Sequence, residues 1–431
     1  MKVGVISLGC AKNQVDTERM LGLLGRFGYA FTADPAEADV LIVNTCGFID
    51  PAKEESIDTI LEMAQYKQTG RCKALVATGC LTERYRQELT EELPEIDILL
   101  GVREYEKLPG LLAEKLGQPL PKLSCGLGER LLTTPPYRAF LRTGDGCNNR
   151  CTYCAIPLIR GNLRSEPIED LIDEAKRLAD GGVTELTIIA QDTSGYGVDR
   201  YGKSMLVPLL KALNGIDNLH WVRVLYTYPD TVNEALLDTL AQGEKLIPYL
   251  DIPLQHIDDD ILQRMHRRGS GAYIRSLLDY LYQNYPDFTL RTTMMVGFPG
   301  ETEQQFQTLL TFLRDYPFDR VGAFAFSPEE GTKAAEMPDQ VPDEVKQARL
   351  AALMAQQRSI SLQRNRRWIG RKTELLIEEL TRTQAIGRTP REAPDVDGRV
   401  TIPRKSYHAI GEYEPIVLTQ AGEYDMKGES L

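Results

Sequence analysis

Three cysteines within eight residues form the strongest chemical signal in the chain. Cys147, Cys151 and Cys154, here called the motif triad, lie in the run GDGCNNRCTYCAIP directly after an apolar segment. Thiolates bind iron and zinc, and small or polar spacers let the backbone curl around a compact iron-sulfur cluster. Three ligands would leave one iron open to a substrate or cosubstrate. Zinc is the alternative, although structural zinc sites generally use four ligands and no fourth Cys or His lies nearby in the sequence.

Three further cysteines occupy equivalent places in the first part of the chain. Cys10, Cys46 and Cys80, here called the N-terminal triad, each follow an apolar run and precede a predicted helix, in the contexts SLGC, VNTC and ATGC. The carboxyl ends of parallel strands meet at one edge of a sheet, so these cysteines are expected to converge there. The alternative is three small buried residues at strand ends. Cys72 precedes a strand and Cys125 lies in a Pro- and Gly-containing stretch, so we expect both to be incidental.

The elements that must position these cysteines are predicted from hydrophobic patterning. Strands and helices alternate up to about residue 117, which favours a parallel α/β fold of the flavodoxin-like type. Six more strand-helix units predict a partial (β/α)6 barrel, too few for a closed eight-stranded barrel. A long helix and short β-rich runs then predict a small antiparallel β-barrel. We place the domains at 1–117, 133–365 and 368–431, joined by a linker over 118–135.

Composition restricts the class of protein. No early segment resembles a signal peptide and no apolar run suits a bilayer, so a cytoplasmic protein without a membrane partner is expected. Thiols are normally reduced in that compartment, which disfavours disulfides. The formal net charge of −12 opposes binding to a polyanion. The arginines of MHRR and QRNRRW could suggest an RNA patch, but short basic runs on helices are usually solvated faces.

The motif triad with Tyr153 before its last cysteine resembles the signature of the radical S-adenosylmethionine superfamily. The order of the three domains is similar to that of the methylthiotransferases, whose last domain is called TRAM. Local strings resemble the branch that modifies an aspartate of small-subunit ribosomal protein S-twelve: SLGCAKNQVDTE, NTCGFIDPAKEESIDTILE, AQDTSGYG, PLQHIDDDILQRMHRR, RTTMMVGFPGETE and FSPEEGTKAA. The transfer RNA branch typically has GCQMN and NTCSVRE at the first two places. Ala11 and Glu166 depart from the usual proline and arginine of the family.

The resemblance implies roles for both triads. The motif triad would be catalytic and would hold a 4Fe-4S cluster whose open iron binds the amino and carboxylate groups of S-adenosylmethionine. One electron would then generate a 5'-deoxyadenosyl radical that takes a hydrogen from the β-carbon of the target aspartate. The N-terminal triad would hold a second 4Fe-4S cluster, which carries the sulfur. In agreement, the four histidines and the lack of a nucleophile motif indicate no acid/base or covalent machinery.

Further residues are candidates for contact with the cosubstrate. They are Tyr153, Gln191, Asp192, Arg160, Gly297, Gly300 and Glu301. Gln191 and Asp192 end the second strand of the barrel series, where relatives contact the methionine amino group. For the glycines the alternative is a left-handed turn that feeds a helix, and for Arg160 an ordinary surface arginine. His256 is expected to be a satisfied histidine at a strand end.

The partners follow from the resemblance and from charge. Between Arg371 and Leu431 there are nine Lys and Arg against eleven Asp and Glu, so this last domain is slightly acidic. An RNA-gripping barrel should be basic, whereas a basic ribosomal protein, alone or within the small ribosomal subunit, suits an acidic surface. Reduction requires an electron donor such as flavodoxin or ferredoxin. The alternatives are adenosine methylthiolation of transfer RNA and a non-enzymatic iron-sulfur scaffold.

Overall fold

The computed structural model describes residues 1–119 and 130–431, so Cys125 lies outside the described residues. The first part is a sheet of five parallel strands in the order β2-β1-β3-β4-β5, which is the flavodoxin order. Its strands are β1 Lys2–Ser7, β2 Ala30–Phe31, β3 Val40–Thr45, β4 Ala74–Gly79 and β5 Ile98–Leu99. Its helices are α1 Ala11–Arg26, α2 Asp50–Ala64, α3 Tyr66–Thr69, α4 Cys80–Arg84, α5 Arg86–Glu92 and α6 Leu108–Lys115. The predicted parallel α/β fold is confirmed.

The central strands of this sheet are apolar because helices cover both faces. All six residues of β3 and all six of β4 are buried, as parallel sheets require. The sequence analysis missed β2, which has only two residues and lies at the edge. Such a short, partly exposed strand carries no period-2 signal.

The second part contains six parallel strands arranged as a partial barrel. The strands are β6 Arg138–Arg142, β9 Glu185–Ile189, β10 Trp221–Val224, β11 Tyr249–Asp251, β12 Thr289–Val296 and β13 Arg320–Ala325, with a short pair β7 Gly144–Asp145 and β8 Arg164–Ser165 beside them. Hydrogen bonds around Val222 join the two three-stranded halves, with Ile247 N–H donating to the Val222 carbonyl at 2.9 Å. The predicted six-unit partial barrel is confirmed.

Helices pack around the barrel and one long helix leads out of it. They are α7 Ile156–Ile159, α8 Ile168–Asp180, α9 Val198–Tyr201, α10 Leu206–Asn214, α11 Glu234–Gln242, α12 Asp259–Arg264, α13 Gly271–Asn284, α14 Glu303–Asp315 and α15 Asp343–Arg366. Acidic residues Asp343 and Glu344 stand in the first turn of α15 and Arg364 and Arg366 in its last, which suits the helix dipole. Among the residues described, no helix is long and apolar enough to cross a membrane.

The last part is a closed barrel of five strands in the order β14-β15-β16-β18-β17. The strands are β14 Lys372–Leu380, β15 Gln384–Arg388, β16 Val400–Pro403, β17 Tyr413–Ala421 and β18 Met426–Ser430. Four of the pairings are antiparallel, as predicted, but β16 and β18 pair in parallel through Val400–Met426 and Thr401–Lys427. The sequence analysis did not predict this exception, which closes the barrel.

Apolar contacts hold the three parts of the chain together. Val15 of α1 belongs to one buried cluster with Phe140 and Ile189 of the partial barrel and Leu376 of β14. A chain-distant set of apolar side chains therefore fixes α1, and the cysteine that precedes it, against the partial barrel.

Candidate functional site

The N-terminal triad gathers at the carboxyl edge of the first sheet. Cys10 immediately precedes α1, Cys46 follows β3 and Cys80 is the first residue of α4. A methyl group placed on Gly9 would lie 3.1 Å from the Cys46 sulfur, so that sulfur lies against the loop that carries Cys10. The structure therefore brings together three cysteines that are distant in the chain.

Protein side chains hold Cys80 from two directions. Its thiol donates to Asn13 Oδ1 at 3.5 Å, and Arg160 Nη2 lies 3.6 Å from its sulfur. Burial raises the pKa of Cys80 to about 12, and nearby Cys10 and Cys46 oppose a further negative charge although Arg160 favours it. Burial raises the pKa of Cys46 as well. Metal binding at these thiols must therefore displace protons.

The motif triad lies in a loop that other polar groups hold in place. Cys147 N–H donates to the Gly161 carbonyl at 3.1 Å, and Cys154 N–H to the Cys151 carbonyl at 3.1 Å. Burial, with help from neighbouring thiols, raises the pKa of Cys147 to about 11 and that of Cys154 to about 12. The short spacing of the three cysteines within this one loop keeps their thiols near one another.

Asp192 and Arg268 fix the middle of this loop through Asn149. Asn149 Nδ2 donates to Asp192 Oδ2 at 2.8 Å, and Arg268 Nη2 donates to Asn149 Oδ1 at 2.5 Å. The other oxygen of Asp192 accepts from Ser194 Oγ and Gly195 N–H at 2.8 and 3.0 Å. The carboxylate of Asp192 therefore orients the motif loop.

Arg267 joins two tyrosines to the motif triad. Its Nη1 donates to the Tyr153 hydroxyl at 3.0 Å, and its guanidinium stacks 4.3 Å from the centre of the Tyr228 ring. The Tyr228 hydroxyl lies 3.6 Å from the Cys151 sulfur. The prediction that MHRR is a solvated face is wrong for Arg267, which is only 8% exposed. Arg364 of QRNRRW is buried too, in an ion pair with Asp319 at 2.8 Å.

A short segment connects the two triads. Ala155 and Ile159, directly after the motif triad, pack against Cys80 in one buried cluster. Arg160 ends this segment and forms ion pairs with Asp16 and Asp145, both at 2.9 Å. The alternative that Arg160 is an ordinary surface arginine is wrong, because this residue is 2% exposed, whereas its contact with the cosubstrate stays a prediction. Its guanidinium is committed to two protein carboxylates beside the N-terminal triad, because α1 brings Asp16 against the partial barrel.

The first turn of α1 enters the open end of the partial barrel. Lys12 is 7% exposed, and its ammonium nitrogen lies 2.9 Å from the centre of the Tyr226 ring. Burial lowers the pKa of Lys12 to about 8. Tyr226 has a positive φ of 62°, uncommon for a residue with a side chain. Its N–H donates to Asp251 Oδ2 at 2.8 Å, and Arg291 pairs with Asp251 Oδ1 at 2.8 Å.

The other cosubstrate candidates lie on two strand ends. Gln191 Nε2 donates to Asp145 Oδ1 at 3.2 Å, whereas its buried Oε1 has no hydrogen-bond partner among the described residues. Gly297 and Gly300 have φ of 70° and 76°, and a methyl group on them would collide with Lys346 and Arg264 respectively. The two glycines therefore form the left-handed turn that was the alternative to cosubstrate contact, and protein side chains pack against that turn.

Glu301 points back into that turn. Its Oε2 accepts from the N–H groups of Gly297 and Phe298, the second at 3.2 Å. Burial raises the pKa of Glu301 to about 7 despite the nearby Arg349. His256 Nδ1 accepts from Asp258 N–H at 3.1 Å, but its Nε2 has no hydrogen-bond partner among the residues described. The prediction that His256 is fully satisfied is therefore wrong for that nitrogen.

The thiols of both triads suit a cluster better than a single ion. In residues 1–119 and 130–431, no three His, Cys, Asp or Glu side chains converge as the ligands of one metal ion do. In a cubane cluster each thiolate binds a different iron, so three thiols around a shared space fit it. The N-terminal triad gathers at one sheet edge and the motif triad lies in one loop, so both are candidates for such a cluster.

Comparison with known families covers most of the chain. Residues 2–101 match a family described as uncharacterized protein family UPF0004, residues 141–313 match the radical SAM superfamily, and residues 369–431 match the TRAM domain. The radical SAM match implies a 4Fe-4S cluster and S-adenosylmethionine as cofactors.

Full-length relatives identify the family. The chain is 45% identical over 441 residues to the ribosomal protein uS12 methylthiotransferase RimO of Geobacter sulfurreducens, covering 100% of this chain and 98% of the relative. It is 46% identical over 443 residues to the protein of the same name from Trichlorobacter lovleyi, with the same coverage. The chain belongs to the uS12 methylthiotransferase family. This finding confirms the resemblance to the radical SAM methylthiotransferases that the sequence showed.

Solved structures share the fold of this uS12 methylthiotransferase family member. The radical S-adenosylmethionine methyltransferase TsrM from Kitasatospora setae superposes with a TM-score of 0.56 at 13% identity, over 75% of this chain and 72% of that one. The cobalamin-dependent S-adenosylmethionine radical enzyme OxsB gives 0.53 at 11% identity, over 83% and 57%. At such identities the likeness concerns the fold alone.

Sequence reasoning missed several residues around the site of this uS12 methylthiotransferase. They are Lys12, Asn13 and Asp16 on α1, Asn149 in the motif loop, and Tyr226, Tyr228 and Arg267 at the barrel mouth. Asn13 lies three residues after Cys10, and Asp16 three residues after Asn13, which is about one helical turn each time. This spacing could have identified Asn13 and Asp16 from the sequence. No feature of the neighbouring sequence distinguishes Arg267 from a surface arginine.

Proposed function

We propose that this chain transfers a methylthio group to the β-carbon of an aspartate in ribosomal protein uS12, with two 4Fe-4S clusters and S-adenosylmethionine. The observation that carries the proposal is the pair of cysteine triads at the two ends of the Cys154–Arg160 segment, at the open end of the partial barrel. Ala155 and Ile159 of this segment pack directly against Cys80, so the two triads are near neighbours. Two neighbouring clusters can serve one substrate carbon.

The motif triad would hold the cluster that, when bound, supplies the electron for cleavage of S-adenosylmethionine to a radical. Cys147, Cys151 and Cys154 would bind three of its irons and would leave the fourth for the cosubstrate. The Asn149–Asp192 hydrogen bond keeps their loop in one conformation. Arg267 donates a hydrogen bond to the Tyr153 hydroxyl and so holds that side chain beside the same loop.

Gln191 is the best-placed candidate for contact with the cosubstrate. Its buried Oε1 lacks a partner among the described residues, and a buried acceptor without one is unfavourable. An amide oxygen is a suitable acceptor for the methionine amino group. Gly297, Gly300 and Glu301 would act indirectly. Glu301 accepts hydrogen bonds from the backbone of the turn, and the side chains of Lys346 and Arg264 fill the space beside the two glycines.

The N-terminal triad would hold the second cluster. Cys10, Cys46 and Cys80 would bind it, and Arg160 would stabilise its negative charge from beside Cys80. The buried ion pairs of Arg160 with Asp16 and Asp145 keep this guanidinium in position. The chemistry that this cluster supplies is the delivery of sulfur.

Charge supports a protein substrate. The chain has a formal net charge of −12, and an acidic surface attracts a basic ribosomal protein and repels RNA. The substrate would be uS12, free or within the small ribosomal subunit, in the cytoplasm. A flavodoxin or ferredoxin would supply electrons.

The test is modification of a uS12 peptide by the anaerobically reconstituted chain. With S-adenosylmethionine and a reductant, we expect the mass of a methylthio group on the aspartate, together with 5'-deoxyadenosine. Two cubane clusters correspond to about eight irons per chain. Modified transfer RNA with unmodified peptide would establish the adenosine-modifying alternative instead. Absence of 5'-deoxyadenosine would favour a non-enzymatic scaffold.

A further inference from the structure

Lys12 is a buried cation at the junction of the two catalytic parts of the chain. It is the second residue of α1 and lies two positions after Cys10. Its side chain crosses from the first sheet to the partial barrel, where its ammonium lies over the Tyr226 ring at 2.9 Å. Only 7% of Lys12 is exposed.

The charges around Lys12 are otherwise matched. Asp16 pairs with Arg142 and Arg160, and Asp251 accepts from Arg291 and from a backbone N–H. In the described part of the chain, no carboxylate oxygen lies within 4.0 Å of the Lys12 nitrogen. Asp251 favours the charged form of Lys12 only from beyond 4.0 Å, and Cys10 would do so as a thiolate. A buried charge without a close counter-charge is costly, and the ring face of a tyrosine compensates only part of that cost. Lys12 therefore has the surroundings of a cation that awaits an anionic ligand.

The Tyr226 ring that holds this cation is itself rigidly placed. Its φ of 62° is a sparsely populated conformation for a residue with a side chain, and Asp251 fixes it through the backbone N–H. Outliers of this kind concentrate at ligand-binding sites, where the surrounding structure maintains them. The ring and the ammonium are thus held in place before any ligand enters.

We infer that Lys12 binds the γ-carboxylate of the target aspartate and so positions the β-carbon that receives sulfur. The inference rests on the proposed function, since it takes the aspartate of uS12 as the ligand. In aspartate the carboxylate carbon is bonded directly to the β-carbon, so an anchored carboxylate leaves the β-carbon little freedom. Cys10, two residues away, brings the sulfur-carrying triad to the same place. Lys12 is a specificity-determining residue that selects a carboxylate next to the reacting carbon.

The test compares two labelled peptides that differ only at the target position, Asp or Asn, bound to the cluster-loaded protein. Fluorescence anisotropy measures both dissociation constants without turnover. The wild-type protein should bind the Asp peptide at least roughly tenfold more tightly than the Asn peptide, because the Asn peptide leaves the ammonium unpaired. In Lys12→Met the preference should vanish, and in Lys12→Arg it should partly return. An unchanged preference in Lys12→Met overturns the inference.

Lys53→Met is the matched control. Lys53 also lies over a tyrosine, Tyr85, at 5.4 Å, but it already has carboxylate partners in Asp50 at 2.6 Å and Glu329 at 3.0 Å. This variant should keep the wild-type preference for Asp. Iron and sulfide are assayed in every variant. If Lys12→Met loses about four irons, Lys12 serves the N-terminal cluster and the inference is wrong.

Two further measurements separate this inference from the proposed function. The preference for the Asp peptide is a binding measurement, so it tests the role of Lys12 whether or not the peptide is methylthiolated. A peptide that stays unmodified contradicts only the proposed function. An anticodon stem-loop RNA is tested as a third probe. If Lys12→Met weakens RNA binding and leaves the two peptides equal to wild type, Lys12 binds a phosphate and the inference is overturned.

Discussion

Individual cysteines of the two triads differ in what surrounds them, and this separates their roles. Cys10 is exposed at the start of α1, whereas Cys80 is buried beside Arg160. Cys147 lies in the loop that Asn149 and Asp192 hold. Loss of one thiol should therefore damage one cluster and leave the other.

Replacement of Cys147 by Ala should abolish formation of 5'-deoxyadenosine. Replacement of Cys10 should leave cleavage of S-adenosylmethionine intact and block sulfur insertion, because only the N-terminal cluster loses a ligand. Chromatography of 5'-deoxyadenosine and mass spectrometry of the peptide measure the two activities separately.

Cys72→Ala provides the control for both variants. Cys72 is buried in an apolar cluster and its thiol contacts the Ala74 carbonyl at 3.4 Å, away from either triad. Both activities should persist, with a loss of roughly 1 kcal/mol in the free energy of unfolding. If Cys10→Ala removed both activities, separate roles for the two clusters would be untenable.

Helix starts and strand ends are the elements that place the N-terminal triad. β4 ends at Gly79, with φ 107° and ψ −154°, a combination found essentially only for glycine. A methyl group there would lie 2.5 Å from the Thr45 carbonyl oxygen. The glycine thus allows β3 and β4 to approach closely just before Cys46 and Cys80.

Gly79→Ala should reduce both stability and cluster content. Backbone strain and the clash with Thr45 together should cost about 3 kcal/mol, and displacement of Cys80 should lower iron at the N-terminal triad. Urea denaturation and iron analysis measure the two effects. Cleavage of S-adenosylmethionine should continue.

Gly182→Ala is the matched control for the glycine variant. Gly182 has a similar φ of 101°, but nothing lies within 4 Å of an added methyl group. Only the conformational cost, roughly 1 kcal/mol, should appear. Equal losses in the two variants would show that the close approach of β3 and β4 is unimportant.

At the scale of the whole molecule, buried ion pairs attach the last barrel to the partial barrel. Arg388 of β15 pairs with Glu185 of β9, with Nη1 donating to Oε1 at 2.9 Å, and both residues are buried. Burial alone would raise the pKa of Glu185, but the guanidiniums of Arg388 and Arg223 outweigh it and lower the pKa. The pair therefore stabilises the junction only while Glu185 is ionised.

Acid should weaken this junction. The pKa of Glu185 is lower in the folded state than its unfolded-state value of about 4.3. The contribution of the ion pair to the free energy of unfolding is therefore fully present above the unfolded-state pKa, and it is lost as the pH falls through the folded-state pKa. Arg388→Met should cost about 3 kcal/mol at pH 7, since the buried Glu185 loses both hydrogen bonds from Arg388 and keeps only the Arg223 guanidinium, 3.6 Å away. Urea midpoints at pH 7 and on acidification would measure both effects.

The exposed pair Arg399–Glu379 serves as the control for the junction. Its nitrogen and oxygen are 3.0 Å apart, but more than half of each side chain is exposed. Arg399→Met should change stability by no more than about 0.5 kcal/mol. A similar cost for Arg388→Met would mean that the buried pair does not hold the barrels together.

Local patterns were sufficient to predict most of the fold and the two triads. The strands β1, β3 and β4 and the six strands of the partial barrel are rich in apolar residues, and each cysteine of the N-terminal triad follows one of the first three. The spacing of Cys147, Cys151 and Cys154 lies within one loop. Periodicity and short spacing are properties of neighbouring residues, so they can be recognised without the tertiary structure.

Only the tertiary structure decided which charged residues belong to the site. Arg160, Arg267 and Lys12 are flanked by ordinary sequence, and each is buried because a partner from a distant part of the chain covers it. Asp16 reaches Arg160 across 144 residues, and Tyr226 reaches Lys12 only when α1 docks on the partial barrel. Burial of a charge depends on what lies opposite in space, and no local pattern records that.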